Sequence, residues 1–228
     1  GPSTEYTIDD VRNAARAFVD QLQPQDKVMV IEFDANEHVL TEATSDRQLI
    51  YKASKRADFG SGTSLYDTVD FTLRKKLSRI EGRKAIVLFT DGVDTTSHKT
   101  SYDRTVAFAE EADTLIFPIY YNTYFDYRPS VFDNRNIIGT RPEDYALGKR
   151  YIEDLAAYTG GRVFRPEATP GGLTAAFEGI AEELRRQYNI GYIPSSEGTP
   201  GQRKQIKVRV NRPGLVLRAR DSYVVPAK

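Results

Sequence analysis

The chain has 228 residues, of which 39% are hydrophobic, and its 32 Lys and Arg residues balance 32 Asp and Glu residues. This composition is typical of a globular protein with one core, or with one core and a small appendage. The balanced charge argues against binders of nucleic acid or anionic membranes, which use an excess of Lys and Arg. The lack of Cys excludes disulfides, thiolate catalysis and Cys-ligated metals. No apolar run approaches the roughly 20 residues of a membrane span.

No signal peptide is visible at the start of the chain, and Gly1 stands where an initiator Met is expected. We therefore interpret the sequence as a processed or cloned fragment with residues missing upstream. Apolar residues at helical spacing from 11 to 22 predict a first amphipathic helix. Thr7 with Asp10 resembles a capping box at its start.

Strand and helix patterns then alternate along the chain. The predicted elements are strands 28–33 and 37–40 (the latter a short antiparallel edge strand), helices 46–56 and 65–77, strand 85–89, helix 102–112, strand 115–120, helix 149–158, strand 162–165 and helix 173–184. This rhythm predicts an α/β fold with a parallel sheet and helices on both faces. Because Pro118 has no N–H for a ladder, its strand is expected near an edge or bulged.

The segment 121–147 is long and irregular, and its aromatic residues include Tyr124 and Tyr127. A loop of this length is usually functional or disordered, and its aromatic content argues against disorder. An insert packed by its own aromatic residues is favoured over a binding surface.

The pattern changes after residue 187. Segments 188–193, 205–210 and 215–220 read as three strands separated by Pro, Gly and Ser turns. We therefore divide the chain into an α/β domain, 1–187, and a β extension, 188–228.

Two polar loops are the strongest candidates for chemistry. Asp91 follows the apolar strand 85–89, and Thr63 follows Gly62 just before a predicted helix. Ligand sites in open α/β sheets form at the carboxyl ends of strands. Hydroxyl and carboxylate oxygens suit a hard cation, here Mg²⁺ or Mn²⁺. Each loop alone is more often turn or helix-capping chemistry.

Taken together, these segments resemble a von Willebrand factor type A domain. The resemblance lies in 9–46, in Gly-Thr-Ser-Leu-Tyr-Asp at 62–67, and in Arg-Lys-Ala-Ile-Val-Leu-Phe-Thr-Asp-Gly-Val-Asp-Thr at 83–95. The C-terminal segments 184–192, 206–210 and 218–223 resemble a bacterial subgroup, known mainly from acidobacteria, with a β tail. The resemblance implies a three-layer α/β/α sandwich with a mostly parallel sheet and a small C-terminal β extension. The subgroup implies an exported protein, extracellular or periplasmic.

The family implies a metal-ion-dependent adhesion site, built from an Asp-x-Ser-x-Ser loop after the first strand, a Thr and an Asp. Thr63 matches the Thr, Asp91 the Asp, and Ser3 the last Ser of the first loop. Gly1 then stands in place of the first Ser, and the Asp is absent with the whole first strand. By resemblance, Ser3 and Thr63 would be direct metal ligands and Asp91 a direct or water-mediated one.

The function implied by this resemblance is protein binding and not catalysis, with an acidic side chain of the partner completing the metal shell. Loops containing Gly62, Ser64, Asp94, Tyr124 and Tyr127 would shape the choice of partner. The missing first strand would leave an apolar groove, which another segment or a second copy of the chain would fill.

Two alternatives remain open. In the first, Ser3 only caps a helix and the chain is a metal-independent interaction module. In the second and less favoured one, Asp91 and Asp94 serve a phosphatase-like hydrolase, although they are one residue too far apart for its Asp pair. The sequence has no phosphate-binding loop, dinucleotide fingerprint or nucleophile elbow. His38 and His98 are interpreted as surface residues.

Overall fold

The computed structural model describes residues 6–58, 62–121, 141–167, 169–188 and 190–225. The helices of these ranges are α1 (Ile8–Asp20), α2 (Arg47–Arg56), α3 (Leu65–Phe71), α4 (Tyr102–Glu111), α5 (Pro142–Thr159) and α6 (Gly172–Arg185). The strands are β1 (Val28–Phe33), β2 (Glu37–Thr44), β3 (Ala85–Thr90), β4 (Leu115–Tyr120), β5 (Arg203–Gln205) and β6 (Ser222–Val224).

Helix α1 begins with the predicted capping box. The Thr7 hydroxyl accepts the N–H of Asp10 at 3.2 Å, and the Asp10 carboxylate accepts the N–H of Thr7 at 2.8 Å. Two backbone donors at the open end of the helix are thereby satisfied. Tyr6 lies just before this helix, and its ring centroid is 6.5 Å from that of Phe89 near the end of β3. The start of α1 therefore lies at the carboxyl end of that strand.

Strands β3 and β4 form a parallel pair along their whole length. Leu88 and Ile116 join a core cluster with α3, α4 and α5, whereas Phe117 and Ile119 join a second cluster with α1 and α6. Both faces of the pair are thus covered by helices, as parallel strands require.

The predicted strand 162–165 is reduced to one parallel bridge, between Phe164 and Ile119. The N–H of Phe164 donates to the carbonyl of Pro118 at 2.7 Å, and the N–H of Tyr120 donates to the carbonyl of Phe164 at 2.8 Å. The missing N–H of Pro118 therefore faces this sparsely paired outer side of β4. The pairing of β4 with β3 continues past it without a bulge.

Strands β1 and β2 form an antiparallel pair of their own, and β2 extends to Thr44, beyond the predicted 37–40. Among the described strands, β1 pairs only with β2, and β3 pairs only with β4. The described residues therefore form short separate sheets where one mostly parallel sheet was expected. Strand β1 is only half-buried along its length, whereas four of the six residues of β4 are buried.

Two predicted helices have different bounds in the structure. Helix α5 begins at Pro142, well before the predicted start at 149, because Pro at the first helical position and the acidic first turn favour a helix start there. The helix predicted over 65–77 is α-helical only to Phe71, and continues as a π-helical turn, Thr72–Lys76, and a 3-10 turn, Leu77–Arg79.

The three strands predicted for 188–193, 205–210 and 215–220 are wrong for the residues described there. Among the residues described after 187, the only strand pairing joins β5 and β6, three residues each. Val208 and Val210 alternate with Lys207 and Arg209, which predicts a strand with one buried face, but the two valines are 37% and 48% exposed. No helix within the described ranges is both long and apolar enough to cross a bilayer.

Candidate functional site

Three loops meet at the carboxyl ends of β1 and β3, and we call residues 34–36, 62–64 and 91–100 the rim. Ser64 connects the first loop to the second, since its N–H and its hydroxyl both donate to the carbonyl of Asp34, at 2.7 and 2.9 Å. The side chain of Asp34 accepts the N–H of Asn36 at 2.9 Å and lies 3.2 Å from the ring of His38. These contacts, the N–H of Asn36 first, lower the pKa of Asp34.

Thr63 connects the second loop to the third through its backbone. Its N–H donates to the hydroxyl of Thr95 at 2.8 Å, and its carbonyl accepts the N–H groups of Thr95 and Thr96 at 2.8 and 3.1 Å. Within the described part of the chain, no hydrogen bond involves the Thr63 hydroxyl itself. The backbone of Thr63 is therefore fixed, while its hydroxyl is available as a donor oxygen for a ligand.

Two carboxylates, one on α3 and one within the third loop itself, hold the third loop in place. Asp67, 2% exposed on the first turn of α3, accepts the N–H groups of His98, Lys99 and Thr100 at 3.0–3.2 Å. Asp94 accepts the N–H of Tyr66 at 3.0 Å. Charge-assisted bonds of this kind are among the stronger hydrogen bonds in proteins. Helix α3 and the 91–100 loop are therefore fixed to each other.

Asp91 directly follows the last residue of β3 and begins the third loop of the rim. One of its carboxylate oxygens accepts the N–H of Val93 at 2.9 Å. The pKa of the neighbouring Tyr120 is raised, first by burial and then by the negative charge of Asp91.

Gly92 allows this loop to lie directly against α5. Its φ is +84°, a conformation that favours glycine, and a Cβ placed there would lie 2.3 Å from the carbonyl oxygen of Gly148. A Cβ on Gly148 would in turn lie 2.6 Å from the carbonyl carbon of Gly92. The position of Asp91 is thus set by backbone contact between the third loop and α5.

Aromatic rings close one side of the rim. Phe89 and Tyr121 stack with ring centroids 5.2 Å apart, and Tyr6 lies 5.9 Å from Tyr121. These rings place the start of α1 beside the chain segment that carries Asp91.

The structure brings together some of the predicted site residues. Thr63 and Asp91 lie on loops joined by hydrogen bonds, and Gly62 lies exposed on the rim. Ser64 is only 1% exposed, so it supports the rim from within and cannot reach a partner directly. The carboxylate of Asp94 likewise already accepts hydrogen bonds from Tyr66 and Ser97. Ser3, Tyr124 and Tyr127 lie outside the described residues.

Sequence reasoning missed Asp67 and Tyr6. A single acidic residue on the first turn of a helix resembles a solvated charge, and only the fold shows that Asp67 is buried against the third loop. The sequence sign that points to Asp67 is its place in the segment 62–67, which is one of the segments that carry the family resemblance.

The donor groups of the rim match a divalent cation in kind but are few. In the described ranges, no group of three or more His, Cys, Asp and Glu side chains could hold a metal ion. A hydroxyl and a carboxylate, from Thr63 and Asp91, are nevertheless the oxygen donors that Mg²⁺ and Mn²⁺ prefer. These donors fit a hard cation in kind, and the remaining ligands would have to be waters or groups from elsewhere.

Comparison with known proteins gives the fold. A sequence model of the von Willebrand factor type A domain family matches residues 3–93, two fifths of the chain. No curated protein matches the chain. The von Willebrand domain of the type V pilus tip protein Mfa5 from Porphyromonas gingivalis superposes with a TM-score of 0.60 at 13% identity, over 83% of this chain and 92% of that one.

Two further solved structures are similar. An aerotolerance-related membrane protein from Bacteroides fragilis gives a TM-score of 0.58 at 16% identity, over 79% of this chain and 89% of that one. Proximal thread matrix protein 1 from the mussel byssus, with zinc in its MIDAS motif, gives 0.53 at 13% identity, over 76% of this chain and 39% of that one. The chain therefore has a von Willebrand factor type A-like fold.

Proposed function

We propose that this chain is a von Willebrand factor type A interaction module that binds a protein partner through a divalent cation at the rim. One observation carries the proposal. Hydrogen bonds fix the Thr63 backbone to the loop that begins at Asp91, while the Thr63 hydroxyl has no described partner. The zinc-containing byssus protein supports the idea that this type of fold can hold a metal.

In this proposal Thr63 and Asp91 hold Mg²⁺ or Mn²⁺, and Ser3 is a third ligand by family resemblance. The bound cation supplies positive charge and an open coordination position that attracts a carboxylate. The residues of this chain orient the site. Asp67 and Asp94 hold the third loop, and Ser64 holds the second loop against the end of β1.

The partner is accordingly a protein that offers an Asp or Glu side chain to the rim. Gly62, exposed on the rim, lies where such a partner makes contact, and Tyr124 and Tyr127 remain predicted contacts. We propose no catalytic role. The phosphatase-like pairing is disfavoured because Asp94 already accepts hydrogen bonds from Tyr66 and Ser97.

The edges of β1 and β3 that no described strand covers are candidate sites of self-association. Each of these strands pairs with one described neighbour, which leaves its other edge without a described strand. We propose that a further strand fits here, and that a second copy of the chain can supply it. Sedimentation velocity over a concentration series should show a dimer, and a monomer at every concentration would count against it.

The domain limits 1–187 and 188–228 and the acidobacterial-type subgroup remain predictions. We propose an extracellular or periplasmic location. The bacterial neighbours, one named as a pilus tip protein and one as a membrane protein, support it.

A thermal melt with Mg²⁺, Mn²⁺ or EDTA tests the metal proposal. A cation that binds only the native state must raise the melting temperature. We expect this rise in the wild type and in Asp113→Asn, an exposed carboxylate outside the rim, and its loss in Asp91→Asn and Thr63→Val. If neither cation shifts the wild-type melt, the proposal fails and the metal-independent interaction module is favoured instead.

A further inference from the structure

The register of the C-terminal strand pair predicts a longer hairpin than the structure forms. Arg203 lies opposite Val224 and Gln205 opposite Ser222, and the next N–H, that of Ile206, still donates to the carbonyl of Asp221 at 2.6 Å. If the same register continued, the two arms would meet at a two-residue connection, 213–214. We call residues 203–224 the tail hairpin.

The ladder of the tail hairpin stops where like charges would face each other. Continued pairing would place Lys207 opposite Arg220 and Arg209 opposite Arg218, and like charges directly opposite destabilise a strand pair. The connection adds to this effect. A Pro followed by a glycine with φ of +78°, as at Gly214, is typical of a type II turn, whose twist splays antiparallel strands.

Both arms of the tail hairpin are bound to the body of the protein, the first through Arg203 and the second through Arg218 and Arg220. Arg203 forms a two-point contact with Glu110, which is 6% exposed on the last turn of α4. Arg220 donates to the carbonyl of Glu110 at 3.2 Å, and Arg218 pairs with Glu183 of α6 at 3.0 Å. The tail hairpin therefore lies at the end of the molecule opposite the rim, since α4 leads there into the amino end of β4.

The first arm beyond Ile206 is left with exposed charge and exposed apolar surface. Lys207 and Arg209 are exposed, and in the described ranges no ion pair holds either. Residues 190–225 contain seven Lys and Arg against two Asp and Glu, although the whole chain is neutral. Val208 and Val210, on the alternate side of this arm, are 37% and 48% exposed. A ligand for this surface must therefore carry negative charge and also cover apolar side chains.

We propose that the tail hairpin is a second interaction surface, which binds an extended acidic polypeptide. Carboxylates of the bound segment neutralise Lys207 and Arg209, remove the repulsion across the hairpin and allow the ladder to continue beyond Ile206. A nucleic acid would supply negative charge but would leave Val208 and Val210 in water, so the apolar side of the arm favours a protein. This surface requires no cation and is independent of the function proposed for the rim.

The test is binding of a short poly-L-glutamate peptide to the full chain in EDTA, with hydrogen exchange followed by NMR. We expect saturable binding and slower exchange of amides in 207–210. Lys207→Glu should weaken binding about tenfold, since it replaces an attractive charge with a repulsive one. Lys52→Glu, an equal charge change on the exposed side of α2, should leave the affinity within about twofold of wild type.

Three results would overturn the proposal. One is equal weakening by Lys207→Glu and Lys52→Glu, which would mean attraction to net charge only. Another is a poly(U) oligonucleotide of equal charge binding as tightly as the peptide, which would indicate a nucleic-acid surface. The third is peptide binding without slower exchange in 207–210, because then the ladder does not close.

Discussion

The rim and the tail hairpin lie at opposite ends of the molecule, and they differ in how their charged side chains are arranged. At the rim, Asp67 is almost completely buried, and three consecutive N–H groups donate to it. In the tail hairpin, Lys207 and Arg209 would face two further arginines, and the strands separate instead. Buried charge is tolerated where hydrogen bonds satisfy it, and like charges placed directly opposite each other oppose strand pairing. The comparison shows that polar residues specify one geometry only where their partners are built into the fold.

The largest expected effect comes from the backbone contact that supports the rim. Gly148→Ala places a Cβ 2.6 Å from the carbonyl carbon of Gly92, and neither backbone can move cheaply. We expect a loss of about 3 kcal/mol in the free energy of unfolding, measured by urea denaturation. Gly191→Ala is the control, because a Cβ there meets nothing within 4 Å. Equal midpoints for the two variants would contradict the contact.

Removal of the buried carboxylate should cost somewhat less. Asp67→Ala leaves the N–H groups of His98, Lys99 and Thr100 without their acceptor, and we expect a loss of about 2–3 kcal/mol in unfolding free energy. Amide exchange at those three residues should also speed up. Asp113→Ala, at an exposed site, should change neither quantity. Unchanged exchange in Asp67→Ala would mean that Asp67 does not hold the third loop.

The contact between Arg203 and Glu110, which holds the tail hairpin to α4, should contribute about 1 kcal/mol to the free energy of unfolding. Glu110 is buried, but the side chain of Arg203 is 43% exposed, so solvent screens part of the interaction. Arg203→Ala should destabilise the protein because it leaves Glu110 without its partner, and adding Glu110→Gln should recover part of the loss. A double-mutant cycle measures this coupling. Strictly additive effects would show that the contact contributes nothing.

The smallest effect concerns Asp34 and pH. The N–H of Asn36 and the ring of His38 lower the pKa of Asp34 below its ordinary 3.8. Its ionised form is therefore favoured by folding, and this stabilisation is present above the ordinary pKa and lost as the pH falls through the lower, folded-state value. Asp34→Asn should flatten the acid limb of a plot of unfolding free energy against pH. A variant with the wild-type slope would contradict the assignment.

Much of the fold could be predicted because local chemistry and tertiary structure agree there. The capping box of Thr7 and Asp10 forms as predicted. The apolar runs of β3 and β4 become a parallel pair because their side chains are buried on both faces. Helix α5 was predicted too short because its first two turns lay in a stretch interpreted as a loop, although Pro142 and two acidic residues are typical of a helix start.

The tail and the rim could be predicted only in part. Alternation in 205–210 predicts one buried face, but Val208 and Val210 are exposed, because alternation contains no information about a partner strand. The repulsion between Lys207 and Arg220 becomes visible only once the register is known. At the rim, the positions of Thr63 and Asp91 follow from strand ends. The burial of Ser64 and Asp67 depends on how α3 packs against two distant loops, which no local pattern specifies.

Hydrogen–deuterium exchange of the full chain, in EDTA and then in Mg²⁺, tests the central claim that the rim is a preformed cation site. We expect the amides of Tyr66 and Thr100 to be protected in both conditions, because their carboxylate acceptors belong to the fold. Mg²⁺ should then slow exchange further around Thr63 and Asp91 while 207–220 remains unchanged. Fast exchange at Tyr66 and Thr100 in EDTA, or no change around Thr63 and Asp91 in Mg²⁺, would contradict the claim.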